Sequence, residues 1–139
     1  MTRHLLHSWL AAMWRAGLCC AVLIVALSRL GHAQTESGTW RGTVNQPGVG
    51  DFPVTMQLDG RGGGTTEYPT LHCSGVLSGG PGVYQERIVS NRAGPDQDEG
   101  CIDGKITISI SGDRMNWSWA GAFDGENYTA SGVLTRAAK

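Results

Sequence analysis

Lys105–Ala120, KITISISGDRMNWSWA, decides the fold. Ile106, Ile108 and Ile110 alternate with Thr107 and Ser109, and Met115, Trp117 and Trp119 alternate with Asn116 and Ser118. Side chains on a strand point to opposite faces in turn, so each half has one apolar and one polar face. Ser111-Gly112-Asp113 between them is hairpin chemistry. A slip of one residue would turn either apolar set into water, so the register is well specified.

The same two-residue period recurs outward from this hairpin. Trp40, Gly42 and Val44 share a face, as do Phe52, Val54, Met56 and Leu58. Weaker runs place Leu71, Cys73, Gly75 and Leu77 together, then Tyr84, Glu86 and Ile88, then Tyr128, Ala130, Gly132 and Leu134. Asp59-Gly60, Gly79-Gly80-Pro81-Gly82 and Asp124-Gly125 are turn signals between them. No stretch beyond the N-terminal leader holds a helical period. The expectation is an all-β domain of about seven or eight antiparallel strands. Such a sheet hides its edges by closing into a barrel or stacking as a β-sandwich. Gly42, Gly75 and Gly132 at inward positions leave room for the tryptophans, which favours a small up-and-down β-barrel over the sandwich.

Residues 1–33 read as a secretory signal peptide. Arg3 and Arg15 give a basic start, Gly17–Ser28 (GLCCAVLIVALS) is apolar and uncharged, and Gly31-His32-Ala33 is a small-x-small cleavage site. The apolar core falls short of the roughly 18–20 residues that span a bilayer, so no stable membrane insertion is expected once the leader is cut after Ala33. Cys19-Cys20 lies within that core rather than after it, unlike a lipid-attachment cysteine. The exported domain is then 34–139, placed in the periplasm or secreted. The whole chain carries a formal charge of −1. The exported part keeps eight basic and all twelve acidic residues, a charge of −4, which excludes the basic footprint of a nucleic-acid binder.

Two cysteines remain after cleavage, Cys73 and Cys101, and in an exported chain they pair most simply with each other as a disulfide. With His72 as the one remaining histidine, they do not form a zinc site, and no C-x-x-C is present for redox exchange.

Further motifs fall in order along the chain: Trp40-x-Gly42-x-Val44, Tyr68-Pro69-x-Leu71-x-Cys73-x-Gly75-x-Leu77, Tyr84-x-Glu86-x-Ile88, Cys101-x-x-Gly104, Trp117, and Ala130-x-Gly132-x-Leu134. This order resembles a family of small exported bacterial β domains. They occur alone after a signal peptide or at the extracytoplasmic end of bacterial serine/threonine protein kinases. The resemblance implies a disulfide-linked β domain outside the cytoplasm and brings no catalytic residues. Gly38-Thr39-Trp40 also resembles the first strand of lipocalin and avidin barrels, where Gly-x-Trp closes one end.

The candidate chemistry is sparse. His72 is placed outward by parity, without a partner for a triad. Glu67 and Glu86 are the pair a glycoside hydrolase would need, held about 5–10 Å apart across a cleft. Glu86 shares its face with Tyr84 and Ile88, so it points inward and needs a partner or a raised pKa. Asp96, Asp98, Glu99 and Asp103 surround Cys101 but miss the calcium-loop pattern, so no metal is assigned. Gly60–Gly64 lacks the ending of a phosphate loop, and no cofactor is implied. Trp117 and Trp119 share a face that either packs the core or stacks a ligand. Two glycosylation sequons, at Asn116 and Asn127, carry no weight in a bacterial protein, which is what the resemblance implies.

The expectation is a non-enzymatic binding or interaction module of the envelope, with Trp117, Trp119, Tyr84 and Glu86 as candidate ligand-binding residues. Its partner would be a small molecule, a glycan or an envelope protein. Two alternatives are an inhibitor of an exported hydrolase using the Asn91–Gly100 loop, and a small glycan hydrolase using Glu86.

Overall fold

The computed structural model describes residues 36–91 and 100–138. The predicted signal peptide lies outside them, as do residues 92–99 of the long acidic loop. Eight strands follow one another: β1 (Gly38–Gln46), β2 (Gly50–Leu58), β3 (Gly63–Tyr68), β4 (Cys73–Gly79), β5 (Val83–Asn91), β6 (Gly104–Ser111), β7 (Arg114–Phe123) and β8 (Glu126–Arg136). Each pairs antiparallel with the next, and β8 returns to β1 through Trp40↔Arg136 to Asn45↔Ser131. The result is a closed up-and-down barrel, not a sandwich. Closure leaves the sheet without an outer strand. Among the described residues no helix is long and apolar enough to cross a membrane.

The inward faces are those the alternation predicts. Trp40, Met56, Ile106, Met115 and Leu134 are fully buried, and Phe52, Val54, Leu77, Trp117 and Trp119 are nearly so. Side chains fill the interior, as suits a barrel of eight strands. Inward glycines permit this close packing. A Cβ on Gly42 would lie 2.3 Å from the Val133 carbonyl oxygen, and one on Gly132 would lie 2.6 Å from that of Thr43.

Two local expectations need correction. Leu71 is not in a strand with Cys73: Pro69–Leu71 form a 3-10 turn, and His72 reverses the chain at φ 55° before β4 begins. The strand absent from the sequence reading is β3, whose glycine start (GGTTEY) hides its alternation. Asp59 organises the entry to β3, because its Oδ1 accepts hydrogen bonds from the Arg61 and Gly63 amides at 2.7 and 2.9 Å. Those two bonds pull the Asp59 carboxyl below its ordinary pKa.

Trp40 closes one end. Its indole N–H donates to the Glu36 carbonyl at 2.9 Å, and the Arg136 guanidinium lies 4.1 Å from the centre of its ring. Tyr84 donates to Glu36 Oε2 at 2.7 Å, so the Glu36–Ser37 segment straps this end. Burial and the Glu36 carboxylate raise the Tyr84 pKa. At the other end Cys73 and Cys101 form the disulfide, with Cα atoms 6.2 Å apart.

Candidate functional site

The wall is thinly paired at two seams. The β5–β6 ladder holds four pairs, from Val83↔Thr107 to Glu86↔Gly104, as does the β2–β3 ladder, whereas the β7–β8 ladder runs to ten. Beyond Glu86, the Ile88 amide turns to a side chain and donates to Asp103 Oδ1 at 2.7 Å. An open groove of about 690 Å³ runs along this seam, a size that suits a small organic ligand. Glu86, Arg87, Asp103, Gly104, Lys105 and Gly121 are among the residues that line it.

Glu86 is the chemical centre of the seam. Parity on β5 turns it inward, and it is only 3% exposed. Its side chain crosses over Gly75, where a Cβ would come within 2.8 Å of Glu86 Oε1 and 2.7 Å of Thr66 Oγ1. Any larger residue at position 75 would displace this cluster. Glu86 Oε1 accepts hydrogen bonds from the Thr66 hydroxyl and from the Tyr68 hydroxyl, the latter at 2.8 Å. Oε2 is buried and makes no hydrogen bond. No cation pairs with Glu86 among the described residues.

Burial is the largest influence on this carboxyl and raises its pKa. Hydrogen bonds from Thr66 and Tyr68, and the dipole of the Trp119 N–H, act in the opposite direction. The Asp103 carboxylate adds to the rise. Tyr68 is pushed well above the ordinary phenol value by its own burial and then by the negative Glu86.

Trp119 forms the wall beside Glu86. Gly104 and Gly121 face each other across β6 and β7, and the indole lies over both. A Cβ at Gly104 would fall 2.2 Å from Trp119 Nε1, and one at Gly121 would fall 2.5 Å from its Cζ2. This glycine pair therefore gives the ring its place and thins the wall at the groove floor.

The four candidate residues do not form one cluster. Glu86 and Trp119 meet at the seam. Trp117 is 2% exposed in the core, opposite Gly132 and Ile108, and its indole N–H lacks a partner. Tyr84 is also fully buried, but its hydroxyl is tied to Glu36 at the end that Trp40 closes. Glu67 lies on the outer face of β3 and Glu86 inside, so these two do not form a pair across a cleft. His72 is exposed. Asp96, Asp98 and Glu99 lie outside the described residues, and the described ones contain no group of three or more metal-ligating side chains.

Thr66, Gly104 and Gly121 are site residues that the sequence reading missed; Tyr68 had no role there, and Asp103 entered it only within the acidic cluster around Cys101. The places of Thr66, Gly104 and Gly121 depend on β3 and on the β5–β6 offset, which no local pattern announces. In comparisons with known proteins, no family model, curated protein or solved structure matches this chain.

Proposed function

We propose that this protein is an exported, non-enzymatic binding module of the bacterial envelope, and that it receives its ligand in the groove at the β5–β6 seam. The reading rests on one observation. Glu86 Oε2 is a buried polar atom without a partner, on a residue that lines an open groove. Leaving such an atom unsatisfied costs about 1–3 kcal/mol, and a ligand that bonds to it recovers that cost. Apolar walls with a few convergent polar groups are the usual composition of a ligand site. The leader at residues 1–33, the disulfide and the family resemblance support a place outside the cytoplasm.

Thermal unfolding of the oxidised protein, with and without cell-wall glycan fragments, small carboxylates, small amines and apolar ligands, tests the reading. A ligand at 100 times its Kd stabilises the fold by about 2.7 kcal/mol, a shift of several degrees. The expected result is a shift with one class that Glu86→Leu abolishes while the variant stays folded. If no small molecule shifts the transition, the groove reading fails and weight moves to a protein partner, such as an exported hydrolase.

A further inference from the structure

We infer that the tip of the β7–β8 hairpin is a docking arm for another protein, one that offers it an open cleft lined by cations. Docking there is independent of the small-ligand groove and shares with it only a place outside the cytoplasm.

The strand ladders define the arm. β6 pairs with β7 as far as Gly104↔Gly121, and β1 pairs with β8 as far as Asn45↔Ser131. β7 and β8 go on pairing with each other to Phe123↔Glu126. Past those points the hairpin has no neighbouring strand on either side among the described residues, and residues 122–127 are all exposed. Its tip is fixed rather than loose. Asp124 and Gly125 have φ of 50° and 80°, the two positive values a type I′ turn requires. An arm held in shape before binding has little freedom left to lose.

The arm is apolar at its centre and acidic around it. Met115, Trp117 and Trp119 are buried on the inward face of β7, and alternation carries that face through Gly121 to Phe123. The wall ends first, so Phe123 is 62% exposed. Val49, in the β1–β2 turn at the same end, is exposed as well. Asp124 and Glu126 follow Phe123, and neither forms an ion pair among the described residues. No Lys or Arg occurs between Arg114 and Arg136.

The turns around the arm share this imbalance. Residues 46–51, 68–73, 100–104 and 123–126 hold four acids, Asp51, Asp103, Asp124 and Glu126, and no Lys or Arg. At the opposite end Arg61, Arg114 and Arg136 balance Glu36, Asp59 and Asp113. Two copies meeting arm to arm would set acids against acids. The complementary partner is concave, with apolar room for one ring and positive charge at its rim.

Lysozyme is the probe, a cationic exported hydrolase with an open cleft. Cytochrome c, also cationic but without such a cleft, is its control. Each is added to isotope-labelled oxidised protein, and amide shifts are followed by NMR. Lysozyme is expected to move Ala122, Asp124 and Tyr128 and to leave Arg61 and Ser111 at the opposite end in place; cytochrome c should move none of them. Phe123→Ser should weaken lysozyme binding about tenfold or more. Asp124→Asn and Glu126→Gln should weaken it about two- to fivefold each. Raising salt from about 0.05 M to about 0.5 M should weaken it too. All three positions are exposed, so these variants should keep the wild-type Tm, which checks that they fold. Arg87→Ala, in the groove, should bind lysozyme as wild type does. No lysozyme binding up to about 1 mM, equal affinity in Phe123→Ser, or equal shifts with cytochrome c each overturn the docking arm. Lysozyme shifts confined to Arg87 and Lys105 also overturn it and move the protein partner to the groove. None of these results decides small-ligand binding at the seam, which the unfolding panel above tests by itself.

Discussion

Tyr68 and Glu86 stand 18 positions apart in the chain, yet the phenol donates to the carboxyl at 2.8 Å inside the barrel wall. The bond joins two groups whose charged forms are both disfavoured by burial. The folded state therefore holds the Glu86 proton more tightly than the unfolded chain does. Its contribution to stability is full below the unfolded value of about 4.3 and is lost as pH rises through the higher folded value. Glu86→Gln removes the titration. Urea unfolding of both proteins across this range should show wild type losing stability relative to the variant as pH rises, then levelling off. A constant difference would refute the assignment.

Tyr68→Phe removes one donor and leaves Thr66 alone on Oε1. The expected loss is about 1–2 kcal/mol. Because that bond lowers the Glu86 pKa, its removal should also raise the carboxyl's titration further, readable by carbon NMR of the side chain. A stability loss with no change in the Glu86 titration would show that Tyr68 acts only by packing.

Gly75→Ala tests the crowding around the same carboxyl. The added methyl would sit 2.7–2.9 Å from Thr66 Oγ1 and from Oε1 and Cγ of Glu86. The backbone φ at this position is ordinary, so the penalty is steric rather than conformational. Overpacking of this kind costs about 1–3 kcal/mol. Thr66→Ala in the same chain removes one of the clashing atoms and should recover part of the loss; a strictly additive pair would contradict the contact.

Much of this architecture is legible in the sequence because a strand states its inward face at every second residue. Ile106 and Ile108, Met115 to Trp119 and Trp40 to Val44 do so plainly, and all turn inward as read. The Asp124-Gly125 turn is equally plain, with φ of 50° and 80° at the two residues of the hairpin. The site is less legible because it arises where local patterns fail. β3 opens on glycines and offers few apolar positions, so Thr66 carries no sign that it faces a carboxyl. Glu86 is legible as an inward acid, but its partners come from a strand reached only through barrel topology. The groove lies along the short β5–β6 ladder, and ladder length depends on strand offset around the whole barrel.

At the closed end, Arg136 stacks on Trp40, pairs with Asp113 at 3.1 Å and donates to the Ser37 carbonyl at 2.6 Å. These contacts are unequal. The Asp113 side chain is 82% exposed, so Asp113→Ala should change stability by no more than about 0.5 kcal/mol. Arg136→Ala loses the ring contact and the strap bond together and should cost about 1–2 kcal/mol. Thermal unfolding of both variants in low and high salt checks this. A loss in Arg136→Ala that disappears in high salt would assign the role to the ion pair instead.

The disulfide lies at the end where the β5–β6 ladder fails, and its position makes a local prediction. It ties Cys73, the first residue of β4, to Cys101 just before β6, with β5 paired to β4 alone beyond Glu86. The bond thus restrains the β6 entry that backbone pairing leaves loose. Its separation of 28 residues corresponds to about 3–4 kcal/mol in the chain-entropy model. For a domain of this size that is about 15–25 °C in Tm. Cys73→Ser with Cys101→Ser should show this loss, and hydrogen exchange should place it unevenly. The amides of Ile88 and Gly104 at the seam should lose protection first, while Trp117 and Leu134 remain protected until global unfolding. Uniform loss of protection across all four would mean that the disulfide acts on the unfolded chain alone and gives the seam no local support.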